Sequence, residues 1–227
     1  MRIANNVEML EIKGENGTLY PVLAWDDHDI VLVDTGMPGQ IELIRGAVSE
    51  AGFSLEKLTK VILTHQDMDH IGCAKILSEL GAEILAHEEE APYIQGDKTS
   101  VRIAAMESRL EELDEGERAF YERVKQGAPL FYVKIDRLLK DNETLNFCGG
   151  IKIIHTPGHM PGHIALLLQD SNILVAGDAS NIDDGRLVGA NPQYTQDVPT
   201  AQRSLQKMLD MNPSGFVCYH GGYIRHI

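Results

Sequence analysis

The chain reads as an α/β protein in which two sheets pack face to face with helices outside. Three features of the sequence predict this. Short apolar, strand-like runs alternate with helix-like stretches, and they do so in two sets. A charged, helix-forming stretch from about Glu88 to about Leu139 separates the sets and reads as a helical insertion at residues 88–139. The chain's 227 residues suffice for one sizeable core, so residues 1–227 are expected to form a single domain carrying that insertion.

Taken in order, Val7 to Ile12 and Leu19 to Ala24 alternate or run apolar, with Gly14-Glu15-Asn16-Gly17 as the turn between them. Ile30 to Val33 is a short buried strand that exits sharply at Asp34-Thr35-Gly36. Ile41 to Ala51 has the spacing of an amphipathic helix, and Val61 to Leu63 is the next strand. A helix begins near Ile71 and runs through Ile76 to Leu80, where Gly81 closes it before strand Glu83 to Ala86. In the insertion, charges from Glu107 to Arg118 accompany apolar residues at helical spacing and read as a solvated face. Strands resume at Leu145 to Phe147, Ile151 to His155, Ile164 to Leu168 and Ile173 to Ala176. A final helix, Thr200 to Met211, precedes strand Phe216 to Tyr219.

Composition narrows the function. The formal charge is −14, from 20 basic and 34 acidic side chains, with no basic stripe to offset it. Such a surface repels phosphate backbones, so no nucleic-acid partner is expected. No apolar run approaches the ~20 residues of a membrane span. Met1 to Asn6 lacks a basic segment followed by an apolar one, so no secretory leader is expected. Three widely spaced cysteines (Cys73, Cys148, Cys218) fit a reducing cytoplasm better than a disulfide framework. The chain has no Walker A sequence and no G-x-S-x-G.

What remains is metal chemistry. Strand Val61 to Leu63 runs into His65-Gln66-Asp67-Met68-Asp69-His70, four metal-competent side chains in one loop. Imidazole and carboxylate groups crowded this closely need a cation to hold them together. Three more strands end the same way, at His155-Thr156-Pro157-Gly158-His159-Met160-Pro161-Gly162-His163, at Gly177-Asp178 and at His220-Gly221-Gly222. Glycine beside each ligand lets the backbone approach closely. His65, Asp67, Asp69, His70, His159, Asp178 and His220 are too many for one tetrahedral ion and right for two.

These stretches resemble the metallo-β-lactamase-fold hydrolases, whose signature is T-H-x-H-x-D-H, a T-P-G-H-type turn, a G-D and a terminal His. Thr64 to His70, Thr156 to His159, Gly177-Asp178 and His220 match it, as does the early Val33-Asp34-Thr35-Gly36 turn. The resemblance covers nearly the whole chain. It implies a four-layer αββα sandwich with the metals at one edge. It puts His65, Asp67 and His159 on a first metal and Asp69, His70 and His220 on a second, with Asp178 bridging. It also implies hydrolysis by a metal-bridging hydroxide, with Asp69 holding its metal and orienting the nucleophile.

One position departs from the pattern: Asp67 stands where the signature has its middle His. Two dications and a hydroxide against Asp69 and Asp178 leave one net positive charge, and Asp67 cancels it. The hard oxygen ligand moves preference from zinc towards manganese or iron. Flavodiiron-type members carry a carboxylate there and use iron. The expected cofactor is therefore two divalent ions, zinc in the first instance, with manganese or iron as alternatives.

The expected activity is hydrolysis of a small ester, lactone or thioester. The alternatives are a flavodiiron-like non-haem iron redox protein and a phosphodiesterase. The partner is a small-molecule substrate, and the insertion is expected to supply substrate contacts or a homodimer surface. Asp34 is expected to fix a strand-end turn near the site rather than bind metal. His163 is expected to support a ligand or bond within the core, His155 to be structural, and His87 to cap the helix after it. His28 and His226 are expected on the surface. Met160 and Tyr194 are expected to be packing residues, and Cys218 a small buried hydrophobe.

Overall fold

Period-two alternation sorts the side chains of each central strand between two cores. A computed structural model describes residues 1–14 and 17–225, so Glu15 and Asn16 of the expected turn, and His226, lie outside the described residues. In Ile30–Val33, Val31 and Val33 enter one apolar cluster while Leu32 enters another. Lys60–Leu63 divides the same way, Ile62 to the first and Val61 and Leu63 to the second. In Ile173–Gly177, Ile173 and Val175 join that first cluster and Leu174 and Ala176 face a third. The shared cluster is the layer between two sheets.

The first sheet has seven strands in the order Arg2–Ala4, Val7–Met9, Val22–Trp25, Ile30–Val33, Lys60–Leu63, Glu83–His87 and Arg137–Leu139. Its last four strands are mutually parallel. The second has six, in the order Thr144–Leu145, Ile151–His155, Ile164–Leu168, Ile173–Gly177, Gly215–Cys218 and Gly222–Arg225. Helix Ile41–Glu50 covers the outer face of the first sheet with Ile44 and Val48, and Ala74–Glu79 adds Leu77. Helix Val198–Leu209 covers the outer face of the second with Met208. The result is the expected αββα layering.

Between residues 88 and 139 lie helices Ala91–Ile94, Val101–Glu107 and Glu115–Gly127. Glu115–Gly127 opens on a capping box, Asp114 and Glu117 each accepting the other's backbone N–H. Ile103, Leu113, Tyr121 and Ala128 make a small core of their own here. Helix does not run to the end of this stretch. Arg137–Leu139 pairs parallel with Glu83–His87 because Leu139, fully buried, belongs to the layer between the sheets.

Candidate metal centre

The site sits where strands stop. Ile30–Val33 ends at Asp34, Lys60–Leu63 at the 64–70 loop, Ile173–Gly177 at Asp178 and Gly215–Cys218 just before His220. Strand pairing brings these ends to one edge of the sandwich: the first two strands are parallel neighbours in one sheet, the last two in the other. Ile151–His155 and Ile164–Leu168, an antiparallel pair, present the connecting turn with His159. All seven residues singled out in the sequence meet there. His65, Asp67 and His159 have ligand atoms within 4.8 Å of one another, as do His65, His70 and Asp178, and Asp69, His70 and His220.

Distances define two adjoining positions. At the first, Asp67 Oδ2 lies 3.3 Å from His159 Nε2 and 3.5 Å from His65 Nε2. At the second, His220 Nε2 is 3.3 Å from Asp69 Oδ2 and 3.3 Å from Asp178 Oδ2. Asp178 stands between them, 3.4 Å from His70 Nε2 through Oδ1 and 3.5 Å from His159 Nε2 through Oδ2.

Support behind these side chains aims them. Asp34 accepts from Thr64 N at 2.8 Å and from Thr64 Oγ1 at 2.8 Å, and its Oδ2 lies 2.8 Å from His70 Nδ1. His70 Nδ1 thus donates outward and leaves the Nε2 lone pair facing the site. His163 Nε2 accepts from Asp178 N at 3.1 Å, with its Nδ1 donating to Thr156 Oγ1 at 2.8 Å, so His163 positions Asp178 rather than joining the ligand set. That fit explains Gly177, whose φ is +52 and where a Cβ would stand 2.7 Å from His163 Nε2. Tyr219 donates its hydroxyl to Asp69 O at 2.7 Å and accepts from Gly36 N at 3.0 Å, while its ring lies 4.0 Å from that of His70.

The electrostatics suit a cation. Burial alone would raise Asp67 and Asp178, yet neighbouring imidazoles hold both well below the usual carboxylate range, joined for Asp67 by Arg102. Burial would lower His220, but bonding to Asp178 and Asp69 outweighs it and pushes the imidazole up to about 9. His65 Nε2, His70 Nε2 and Asp178 Oδ1 are buried without a hydrogen-bond partner. Orphaned buried polar atoms are costly. Three of them converging, with carboxylates around them, fit divalent cations in chemistry and in number of donors.

Sequence reasoning missed several contributors. Arg102, on helix Val101–Glu107, donates from Nη2 to Asp67 Oδ2 at 2.5 Å and from Nε to both Asp67 oxygens. Glu90 is fully buried and accepts from Gln66 and Gly162, tying the two ligand loops together. No local motif announces either residue. Tyr219 does carry a sequence signal, since it lies between the end of strand Gly215–Cys218 and His220. His87 is corrected: the helix begins at Ala91 on Glu90, and His87 stacks instead on His155, ring centroids 4.4 Å apart. His155 also bonds Pro161 O, and Met160 is fully buried packing. Tyr194, by contrast, lines the cavity that opens from the site into the helical stretch, about 890 Å³ in volume, with Met68, Met106, Phe120 and Tyr132.

Comparison with known proteins agrees with this geometry. Residues 20–220 match the model of the metallo-beta-lactamase superfamily. The probable metallo-hydrolase YflN of Bacillus subtilis is 28% identical over 211 residues, 86% of this chain and 76% of that protein. The hydroxyacylglutathione hydrolase GloC of Haemophilus influenzae is 28% identical over 165 residues, 69% of this chain and 64% of its own. In fold, the chain is similar to a metallo-beta-lactamase family protein of Thermus thermophilus, with a TM-score of 0.79 at 23% identity, covering 99% of this chain and 76% of that one. A match that takes in every strand-end loop of the site, from residue 20 to residue 220, places the chain in the metallo-beta-lactamase superfamily, as one of its metallo-hydrolases.

Proposed function

We propose that this protein hydrolyses a small ester, lactone or thioester at a centre for two divalent cations. His65, Asp67 and His159 would hold the first ion, Asp69, His70 and His220 the second, with Asp178 shared. One observation carries the reading: partnerless buried nitrogens and carboxylates converge at the floor of a cavity large enough for a small substrate. Divalent cations bound there polarise an acyl oxygen and make water a nucleophile at neutral pH.

The chain's own residues do the rest. Asp69, with its backbone carbonyl pinned by Tyr219, orients the attacking water through its carboxylate. Tyr219 is no proton donor to a leaving group, because its hydroxyl hydrogen is already committed to Asp69 O. Protonation of the leaving group therefore comes through solvent, which reaches the site past His220, whose side chain is 39% exposed. The apolar cavity wall favours an acyl group over a charged one, and GloC's name supports a thioester among the candidates. Zinc is the expected metal by its His-rich donor set, with Asp67 admitting manganese or iron. Three free thiols, two of them buried, suit a reducing cytoplasm.

Asp69→Ala and His159→Ala, assayed on ester, lactone and thioester panels, should each lose about 10²-fold or more in turnover while keeping the circular-dichroism spectrum. Wild-type rates from both would overturn the assignment.

A further inference from the structure

The two cation positions are not equivalent. At the first, a guanidinium is already present. Arg102 Nη2 lies 2.5 Å from Asp67 Oδ2 and 3.3 Å from His159 Nε2, while Nε reaches the Asp67 oxygens at 3.1 and 3.2 Å. Its remaining arm donates to Tyr194 O at 2.7 Å. The Nε2 lone pair of His159 that Arg102 approaches is the one that a metal held by His65, Asp67 and His159 would need, and the guanidinium charge sits against the Asp67 carboxylate which that metal would share. One lone pair does not serve both, so guanidinium and ion exclude each other.

The second position differs. Asp69, His70, Asp178 and His220 face one another and are touched by no lysine or arginine among the described residues. The residue types fit this asymmetry. A carboxylate at position 67 offers a planar guanidinium a two-oxygen partner, which an imidazole there would not. Asp67 and Arg102 are complementary halves of one arrangement, although they come from different parts of the chain.

We propose that Arg102 serves as an internal cation at the first position. Resting on the metallo-hydrolase reading above, this means one divalent ion is held tightly, by Asp69, His70, Asp178 and His220. A second ion enters only as Arg102 withdraws. The side chain has room to do so, being 31% exposed and attached to the first turn of the helix at the cavity wall. The insertion thereby sets metal occupancy.

The test is zinc titration calorimetry, with elemental analysis, on chelator-stripped wild type, Arg102→Met and Arg102→Gln. Wild type should take one ion tightly and a second about 10- to 100-fold more weakly, the worth of a charge-assisted contact. Both variants should bind the second ion tighter by that factor. A wild type that binds two ions with matched affinity overturns the proposal, whatever the variants do. So does a folded variant, checked by thermal melting, whose second ion stays as weak as in wild type. Failure here is separable from failure of the proposed function: unequal ions without hydrolysis would sink only the activity, and matched ions with hydrolysis only the role of Arg102.

Discussion

Asp34 has a φ of +62, in the left-handed region that a non-glycine residue enters at a cost on the order of 1 kcal/mol. The strain is repaid by three bonds, two from Thr64 and one from His70 Nδ1, which no extended conformer at the strand end would collect together. Asp34→Asn keeps the shape but turns an amide NH₂ towards one of those donors. We expect zinc affinity to fall about 10- to 100-fold without loss of fold, measured by competition with a chromophoric chelator. Unchanged affinity would mean that the His70 tautomer is set elsewhere. Asp34 was legible in the sequence because it ends an apolar run and opens the Asp34-Thr35-Gly36 turn. Arg102 was not, because its partner lies 35 positions away and its charge merges with those of an ordinary surface helix. The neutral cluster deduced for two dications also changes while Arg102 holds the first position: a guanidinium in place of one dication lowers the sum by one positive charge.

Among the elements, the loops depend on a latch. Glu90 precedes helix Ala91–Ile94, yet its carboxylate turns inward, Oε2 accepting from Gln66 N and Nε2 and Oε1 from Gly162 N. Gln66 Oε1 then accepts from Val101 N at the start of the Arg102 helix. One buried group thus joins both ligand loops to the helical stretch. Burial raises the Glu90 carboxyl from 4.5 to about 7 against those hydrogen bonds. Between these values the folded chain keeps a proton that the unfolded chain has lost, so stability falls as pH rises through the window and levels above it. The loss is on the order of 3 kcal/mol. Urea unfolding of Glu90→Gln and wild type at about pH 5 and about pH 8 should show the wild type's advantage shrinking with pH; an advantage equal at both would place the titration elsewhere. At this scale the sequence was readable wherever a continuous apolar run marked a strand buried on both faces, as at Ile30–Val33 and Ile173–Gly177. It failed for the hairpin Ser180–Asp183 and Arg186–Gly189, whose strands are mostly polar and half-exposed. The signal present was Asp184-Gly185, both at positive φ, the residue pair that a tight two-residue hairpin turn requires.

Across the whole molecule, the proposed ligand set straddles the sandwich. His65, Asp67, Asp69 and His70 follow a strand of the seven-stranded sheet, while His159, Asp178 and His220 follow strands of the six-stranded one. The apolar layer between the sheets, with Val33, Ile62, Val175 and Val217 near the strand ends, holds the two ligand groups at bonding distance before any cation arrives. Burying that layer is what orients the orphaned nitrogens, and a cation bound between them would work as a cross-link between sheets. Metal binding should therefore stabilise the entire fold rather than one loop. With free zinc at about 1,000 times its dissociation constant the gain is about 4 kcal/mol. For a chain of this size that corresponds to a melting temperature higher by roughly 8–16 °C. Differential scanning calorimetry of chelator-stripped and zinc-loaded protein checks this, and the shift should disappear in Asp178→Ala, which removes the carboxylate shared by both positions. Identical melting of stripped and loaded wild type would mean that the folded chain gains nothing from a cation, and that the orphaned nitrogens are satisfied by water instead.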